Sequence, residues 1–90
     1  YNVNVNCVAF GVIKTRMTKE LGHPDTIAQI GDKEITMGVH PDLNKAITQM
    51  IPLGRGGEPE EAADAVYLMC TPESNYISGQ YIIAGGGLII

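Results

Sequence analysis

Residues Ile51 to Ala63 read IPLGRGGEPEEAA, and this stretch decides the fold. It is a glycine-rich loop that leads into a well-marked helix start. Pro59 suits the first helical position, because the N–H that proline lacks would have no partner there. Glu60 and Glu61 follow in the first turn, where the positive end of the helix dipole favours carboxylates. The sequence therefore predicts a helix that begins at Pro59.

The spacing of apolar residues extends this helix over residues 59–70. Apolar side chains recur at helical spacing on one face: Ala62, Ala65, Val66 and Met69. Thr71 precedes Pro72, and a residue before proline is disfavoured in helical conformation. We expect the helix to end there.

A strand is predicted on each side of this region. Residues 80–84 form a short apolar run, as a strand buried in a parallel sheet requires, and Gly85 to Gly87 close it. Residues Asn2 to Ala9 alternate asparagine with apolar residues, which indicates a strand. Asparagine is a poor strand former, so the three asparagines need specific hydrogen-bond partners or exposure. Strand, excursion, helix and strand in this order predict a right-handed crossover unit.

The middle of the chain, residues 22–50, is rich in turn residues. Residues 34–37 suggest a short strand or hairpin edge, and residues 13–21 could begin a short helix around Met17 and Leu21. Pro41 and Asp42 could open a further helix, with these residues at helical spacing: Leu43, Ala46, Ile47 and Met50. Such a region is either a mobile binding lobe or an ordinary surface excursion, and both interpretations stay open.

Composition excludes several classes of function. Ninety residues suffice for one small domain, and 44% hydrophobic residues indicate a globular chain. The net charge is −4 and the six basic residues are scattered, which argues against nucleic acid as a partner. No apolar stretch approaches the roughly 20 residues of a membrane-spanning helix, so we expect no membrane insertion.

No metal site is predicted. Cys7 and Cys70 lack metal-ligand spacing, and we expect two reduced, partly buried thiols in a cytoplasmic protein, although a bridge between them stays open. His23 and His40 are isolated and fit surface loops. A zinc site needs ligands paired at short spacing, and the sequence has no such pair.

The loop and helix start at 51–63, followed by Ser78-Gly79-Gln80, the apolar run and three glycines, resemble the C-terminal end of the short-chain dehydrogenase/reductase family. The most similar members are 3-oxoacyl-acyl-carrier-protein reductases, and the resemblance covers residues 3–18 and 51–88 with an unmatched middle. It implies that residues 1–90 form the C-terminal portion of a doubly wound, parallel-sheet α/β domain of Rossmann type. Two strands and an intervening helix would carry an inserted, substrate-side lobe within residues 16–50. It also implies an NAD(P)-dependent oxidoreductase that acts on a ketone or secondary alcohol, with NAD or NADP as cofactor.

The segment Ala9 to Thr18 reads AFGVIKTRMT and resembles the family pattern Ala-Pro-Gly-x-Ile-x-Thr after the sixth strand. The resemblance implies that the cofactor-binding residues are Gly11, Val12, Ile13 and Thr15. The backbone at Ile13 would bind the nicotinamide carboxamide, assisted by the Thr15 hydroxyl. Ligands bind in the crevice at the carboxyl ends of parallel strands, and glycine permits close approach to a flat ring. Phe10 and Arg16 depart from frequent prolines, which we interpret as a subgroup; a plain strand-to-helix turn is the alternative.

Catalytic residues are not assigned. The family's Tyr-x-x-x-Lys pair uses the lysine to lower the tyrosine pKa for proton transfer. The residues four positions after the four tyrosines are Val5, Thr71, Gln80 and Gly85. The 90-residue chain alone is therefore predicted to be inactive. Its start at Tyr1, without Met and inside a strand-like pattern, suggests a piece of a longer protein.

An alternative is a catalytically inactive truncated module that serves interaction or oligomerisation. Members of the family commonly assemble as tetramers, and the resemblance implies a homo-oligomer that packs through helix 59–70 and strand 80–84. The other predicted partner is a small carbonyl or alcohol substrate. A glycine fingerprint and a Tyr-x-x-x-Lys pair in upstream coding sequence would favour the enzyme over the module.

Overall fold

The computed structural model describes residues 1–19, 27–36 and 38–88. Within these residues, four strands, two α-helices and one 3₁₀ turn follow each other. In order they are β1 (Cys7–Phe10), β2 (Ile27–Ile30), β3 (Lys33–Thr36), α1 (Pro41–Met50), α2 (Pro59–Leu68), the 3₁₀ turn Pro72–Ser74, and β4 (Tyr81–Ala84).

β1 and β4 pair in parallel, which confirms the predicted strand arrangement. Cys7 is opposite Tyr81 and Phe10 is opposite Ala84. The pairing continues past both ends, because the N–H of Cys7 donates to the Gln80 carbonyl at 2.9 Å and the N–H of Gly11 donates to the Ala84 carbonyl at 3.0 Å. Parallel neighbours need a long crossover, and here the whole segment between Phe10 and Tyr81 supplies it.

β1 starts later than predicted, at Cys7 rather than Asn2, because asparagine side chains replace the backbone in the pairing. The Asn4 amide donates to the Asn75 carbonyl at 2.8 Å. The Asn6 amide donates to the Ile77 carbonyl at 2.8 Å, and its Oδ1 accepts from the Gln80 N–H at 3.1 Å. The three asparagines were predicted to need such partners or exposure, and these two have them.

The middle of the chain contains the predicted hairpin and helix. β2 and β3 pair antiparallel across a tight turn in which Gly31 has a φ of +62°. α1 begins where predicted, and the His40 imidazole caps it by accepting from the Asp42 N–H at 3.2 Å. The helix predicted to begin within 13–21 is wrong for the described residues, which form only a turn at 15–19. Leu21, His23 and Met37 lie outside the described part of the chain.

α2 ends at Leu68, two residues before the predicted end. A capping box opens it, since the Glu58 N–H donates to the Glu61 carboxylate at 3.0 Å. Near its C-terminus, the Thr71 hydroxyl donates to the Leu68 carbonyl at 2.8 Å, so a side chain replaces the next helical N–H. On its predicted apolar face, Ala62, Ala65 and Met69 are half-buried, but Val66 is 42% exposed.

The loop at 51–54 packs closely against Gly85 to Gly87. Ile51 is the buried large apolar side chain there, at 3% exposure. The Leu53 N–H donates to the Gly86 carbonyl at 3.0 Å. Gly86 has a φ of +63°, and a Cβ on it would lie 2.9 Å from Ile51 Cγ2. Both the conformation and the packing therefore require glycine at this position.

The exposure of the two cysteine thiols differs from the prediction. Cys7 and Cys70 are both free, as expected, but both are exposed rather than partly buried. Across the described residues, no cluster of three or more potential metal ligands occurs. No helix in that part of the chain has the length and apolar character needed to cross a membrane.

An ion pair ties the loop before α2 to the helix itself. The Arg55 guanidinium donates to both Glu61 carboxylate oxygens, at 2.7 and 2.9 Å. These hydrogen bonds, followed by the one from the Glu58 N–H, lower the pKa of Glu61 from 4.5 to about 2. The hydrogen bond and charge of Glu61 in turn raise the pKa of Arg55. Both side chains are about half exposed, so solvent screens the attraction.

Glu61→Gln should remove a pH-dependent part of the stability. A carboxylate whose pKa is lower in the folded state stabilises above its unfolded pKa and loses that contribution as pH falls through the folded pKa. The window here runs from about pH 4.5 down to about pH 2. We expect the wild-type protein to unfold at a higher temperature than the variant at pH 7, and this difference to shrink across the window.

Thermal unfolding followed between pH 7 and pH 2 measures this difference. Glu60→Gln is the matched control, because Glu60 lies in the same helical turn and makes no ion pair within the described chain. A wild-type advantage that stays constant down to pH 2, or the same profile for the control, would contradict the assignment.

Candidate functional site

The loop that follows β1, residues 11–19, contains all four residues predicted to contact a cofactor, and we call it the β1 loop. It leaves the carboxyl end of β1 beside the carboxyl end of β4. Gly11 lies against Gly85 there, so closely that a Cβ on Gly11 would be 2.7 Å from the Gly85 Cα. Gly11 was predicted to allow close approach to a flat ring; in the structure the backbone of Gly85 lies where a Cβ on Gly11 would be.

The next three residues of the β1 loop are held by Gly57. The Gly57 N–H donates to the Val12 carbonyl at 2.9 Å, and the Lys14 N–H donates to the Gly57 carbonyl at 2.8 Å. This is an isolated parallel bridge centred on Ile13. A Cβ on Gly57 would lie 3.0 Å from Ile13 Cδ1, so the absence of a side chain lets the two segments approach.

An ion pair reinforces the same junction. Lys14 Nζ lies 2.8 Å from Glu58 Oε1, and each side chain is about half exposed. Such an exposed pair contributes little free energy by itself, on the order of 0–1 kcal/mol. It joins residues 44 positions apart, and the sequence carries no signal that would pair them.

The second half of the β1 loop is a turn closed by Thr18. The N–H groups of Thr18 and Lys19 both donate to the Thr15 carbonyl, at 3.1 Å. The Thr18 hydroxyl accepts from the Thr15 N–H at 2.8 Å and donates to the Ile13 carbonyl at 2.7 Å. Thr18 is the last residue of the segment that resembles the family pattern, and it was not among the predicted site residues. The Thr15 side chain is exposed, and its hydroxyl has no hydrogen-bond partner among the described residues.

A cleft of about 170 Å³ opens where the β1 loop, the loop before α2 and the end of β4 meet. Val12 and Ile13 line it on one side and Ala84 to Gly86 on another, with Leu53 and Ala62 adding apolar surface. The Arg55–Glu61 pair supplies its charged groups. Of the four predicted site residues, Val12 and Ile13 line the cleft; Gly11 and Thr15 do not.

One backbone group of the β1 loop suits a planar amide ligand. The Ile13 N–H has no acceptor among the described residues, whereas the Val12 carbonyl, the Ile13 carbonyl and the Lys14 N–H each have a partner. The Ile13 carbonyl accepts one hydrogen bond and keeps a second lone pair. Ile13 can therefore donate to a carboxamide oxygen and accept from its nitrogen. The residues present fit the amide end of a nicotinamide cofactor.

Comparisons with known proteins cover nearly the whole chain. A family profile described as Enoyl-(Acyl carrier protein) reductase matches residues 1–89. The 3-oxoacyl-(acyl-carrier-protein) reductase FabG of Thermotoga maritima is 36% identical over 99% of this chain and 29% of its own length. Carbonyl reductase family member 4 of Xenopus laevis is 42% identical over 97% of this chain and 27% of its own. The chain thus spans less than a third of these relatives.

A solved structure agrees with these matches. The crystal structure of a short chain dehydrogenase from Bacillus anthracis superposes with a TM-score of 0.67 and 31% identity, over 98% of this chain and 27% of that one. These alignments include residues 19–50, so the expectation of an unmatched middle is wrong. The parallel pair β1–β4 with its crossover is part of a Rossmann-type α/β fold. From its β1 loop to its closing glycines, the chain belongs to the short-chain dehydrogenase/reductase family.

Proposed function

We propose that these residues form the C-terminal part of a longer NAD(P)-dependent oxidoreductase, which interconverts a ketone and a secondary alcohol. The observation that carries the proposal is the Ile13 N–H, which has no acceptor among the described residues although it lies between a paired Val12 carbonyl and a paired Ile13 carbonyl. Family membership supports the reaction class, and the relatives' names point to 3-oxoacyl and other carbonyl substrates. A 3-oxoacyl thioester is therefore the first substrate to test.

The cofactor in this proposal is NAD or NADP, which when bound supplies or accepts the hydride. The Ile13 backbone would hold the nicotinamide carboxamide, and the free Thr15 hydroxyl would assist. Gly11 and Val12 would set the course of the backbone beside the ring. In dinucleotide-binding folds the residues that distinguish NAD from NADP contact the adenosine ribose. They lie outside this segment of the fold, so both cofactors remain in the proposal.

The proton donor in this proposal comes from another part of the longer protein, because these 90 residues contain no Tyr-x-x-x-Lys pair. The role of this chain is then to bind and orient the cofactor. Residues 16–50, with the β2–β3 hairpin and α1, would form a lobe on the substrate side. Two free cysteines fit a reducing compartment, so we place the protein in the cytoplasm.

We further propose that α2 and β4 pack against a second copy of the protein. Tyr67 and Leu68 on α2 are 69% and 60% exposed, and Tyr81 on β4 is 73% exposed. Large aromatic residues are enriched in the buried cores of interfaces. The same surface favours the second candidate function, an inactive module that only mediates assembly. Activity of the longer protein distinguishes the two.

The full-length protein should oxidise reduced nicotinamide cofactor when a 3-oxoacyl thioester is added, and the isolated 90-residue chain should not. The reason is that the chain holds the carboxamide-binding loop without the Tyr-x-x-x-Lys pair. Absorbance at the nicotinamide band measures the turnover. Inactivity of the full-length protein with every ketone offered would favour the assembly module. Turnover by the purified 90-residue chain would contradict the proposal that the proton donor lies in another part of the protein.

Thr15→Val in the full-length protein should weaken cofactor binding without unfolding the protein. Loss of one hydrogen bond to a polar ligand group costs on the order of 1 kcal/mol, or about fivefold in Kd. Thr15→Ser keeps the hydroxyl and is the matched control. Fluorescence titration with NADH or NADPH gives the Kd, and equal affinity of the valine variant and the wild type would remove Thr15 from the site.

Tyr67→Glu should dissociate the oligomer, because it places an unpaired charge in the proposed contact. Tyr76→Glu is the control, since Tyr76 is fully exposed and lies after α2, outside the proposed surface. Analytical sedimentation of the full-length variants reports the assembly state. An unchanged oligomer for Tyr67→Glu, with normal thermal stability, would mean that α2 does not form the interface.

A further inference from the structure

The backbone between Val12 and Lys14 leaves one polar group free out of four. The Val12 carbonyl accepts from the Gly57 N–H at 2.9 Å, and the Lys14 N–H donates to the Gly57 carbonyl at 2.8 Å. The Ile13 carbonyl accepts from the Thr18 hydroxyl at 2.7 Å. The fourth group, the Ile13 N–H, has no acceptor among the described residues.

These contacts fix the peptide that joins Ile13 to Lys14 from both of its sides. Its N–H is held by Gly57, on the far side from Thr18, and its carbonyl is held by the Thr18 hydroxyl. A peptide group is planar, so two such contacts determine its orientation. The Ile13 N–H belongs to the preceding peptide, whose Val12 carbonyl is held by the Gly57 N–H. With both peptides held, the Ile13 N–H and the Ile13 carbonyl keep a fixed position relative to each other, and the Thr18 hydroxyl supplies the contact on the carbonyl.

Thr18 is suited to this role by its chemistry. A hydroxyl is both donor and acceptor, and here it uses both functions: it donates to the Ile13 carbonyl and accepts from the Thr15 N–H. The Thr18 N–H also donates to the Thr15 carbonyl, so the side chain is anchored by its own backbone. A β-branched side chain has restricted χ1 rotation, which keeps the hydroxyl in place.

We propose that Thr18 is the positioning residue of the carboxamide site: its hydroxyl holds the Ile13 peptide so that the Ile13 backbone meets a nicotinamide carboxamide. The inference rests on the proposed function, since it presumes that Ile13 binds the carboxamide. Thr18 itself does not touch the cofactor in this assignment. The effect should therefore fall on the nicotinamide half of the dinucleotide and spare the adenosine half.

Thr18→Val in the full-length protein removes the hydroxyl and keeps the shape. The Thr15 N–H that loses its acceptor lies at an exposed position, where water can replace the hydroxyl, so we expect the variant to fold. We expect its Kd for NADH or NADPH to rise about tenfold, with no change in the Kd for ADP-ribose, or for its 2′-phosphate if the protein uses NADP. Thr18→Ser should restore dinucleotide binding to within about twofold of the wild type.

Isothermal titration with each ligand, together with the melting temperature of each variant, decides the matter. Equal affinity of Thr18→Val and wild type for the dinucleotide, or equal weakening for both ligands, would overturn the inference. Thr18→Ala is the second variant if the valine does not fold, and unfolding of both would make Thr18 a structural residue and overturn it too.

The two proposals fail in different ways. If the wild-type protein binds the dinucleotide no more tightly than ADP-ribose, Ile13 does not bind the carboxamide and both proposals fall. If it binds the dinucleotide more tightly and Thr18→Val does so equally well, only the role of Thr18 falls.

Discussion

The close approach of β1 and β4 at their carboxyl ends is the constraint on which the rest of the structure depends. Gly11 and Gly85 meet there with no room for a Cβ on Gly11. Parallel strands end at the same edge, so this contact brings the β1 loop beside the closing glycines. The loop before α2 then packs on both, through Gly57 on one side and Leu53 on the other. Three segments that are distant in sequence thus meet around one cleft.

The glycines of this region matter because they lack a side chain, and not only because their backbone is flexible. Gly11 admits the β4 backbone, Gly57 admits the Ile13 side chain, and Gly86 admits Ile51. Each contact lets two main chains exchange hydrogen bonds that a side chain would keep apart. The ion pairs Lys14–Glu58 and Arg55–Glu61 lie at the surface of the same assembly, about half exposed. They set the orientation of the loop before α2 rather than supply most of its stability.

The features that sequence predicts well here are those with local physical causes. Proline and acidic residues mark the start of α2, a glycine marks the β2–β3 turn, and an apolar run marks β4. The start of β1 was wrong because Asn4 and Asn6 bond to the backbone of residues 75–80, more than 70 positions away. The length of α2 was overestimated because the N–H groups of Met69 and Cys70 donate to carbonyls three residues back, in a tighter turn than an α-helix makes. The exposure of Val66 and of both thiols depends on their tertiary neighbours, and the local sequence does not identify those neighbours.

The candidate site, too, has a part that could be predicted from local sequence and a part that could not. The resemblance pointed to Gly11, Val12, Ile13 and Thr15, which are adjacent in sequence and could be found by a motif. Their supports could not, since Gly57 and Glu58 lie more than 40 positions away, and Thr18 acts through a hydroxyl whose partners depend on the turn. A plain strand-to-helix turn was the alternative interpretation of this segment. In the β1 loop the Val12 carbonyl, the Ile13 carbonyl and the Lys14 N–H are paired, and the free Ile13 N–H between them is the donor that our proposal assigns to a carboxamide.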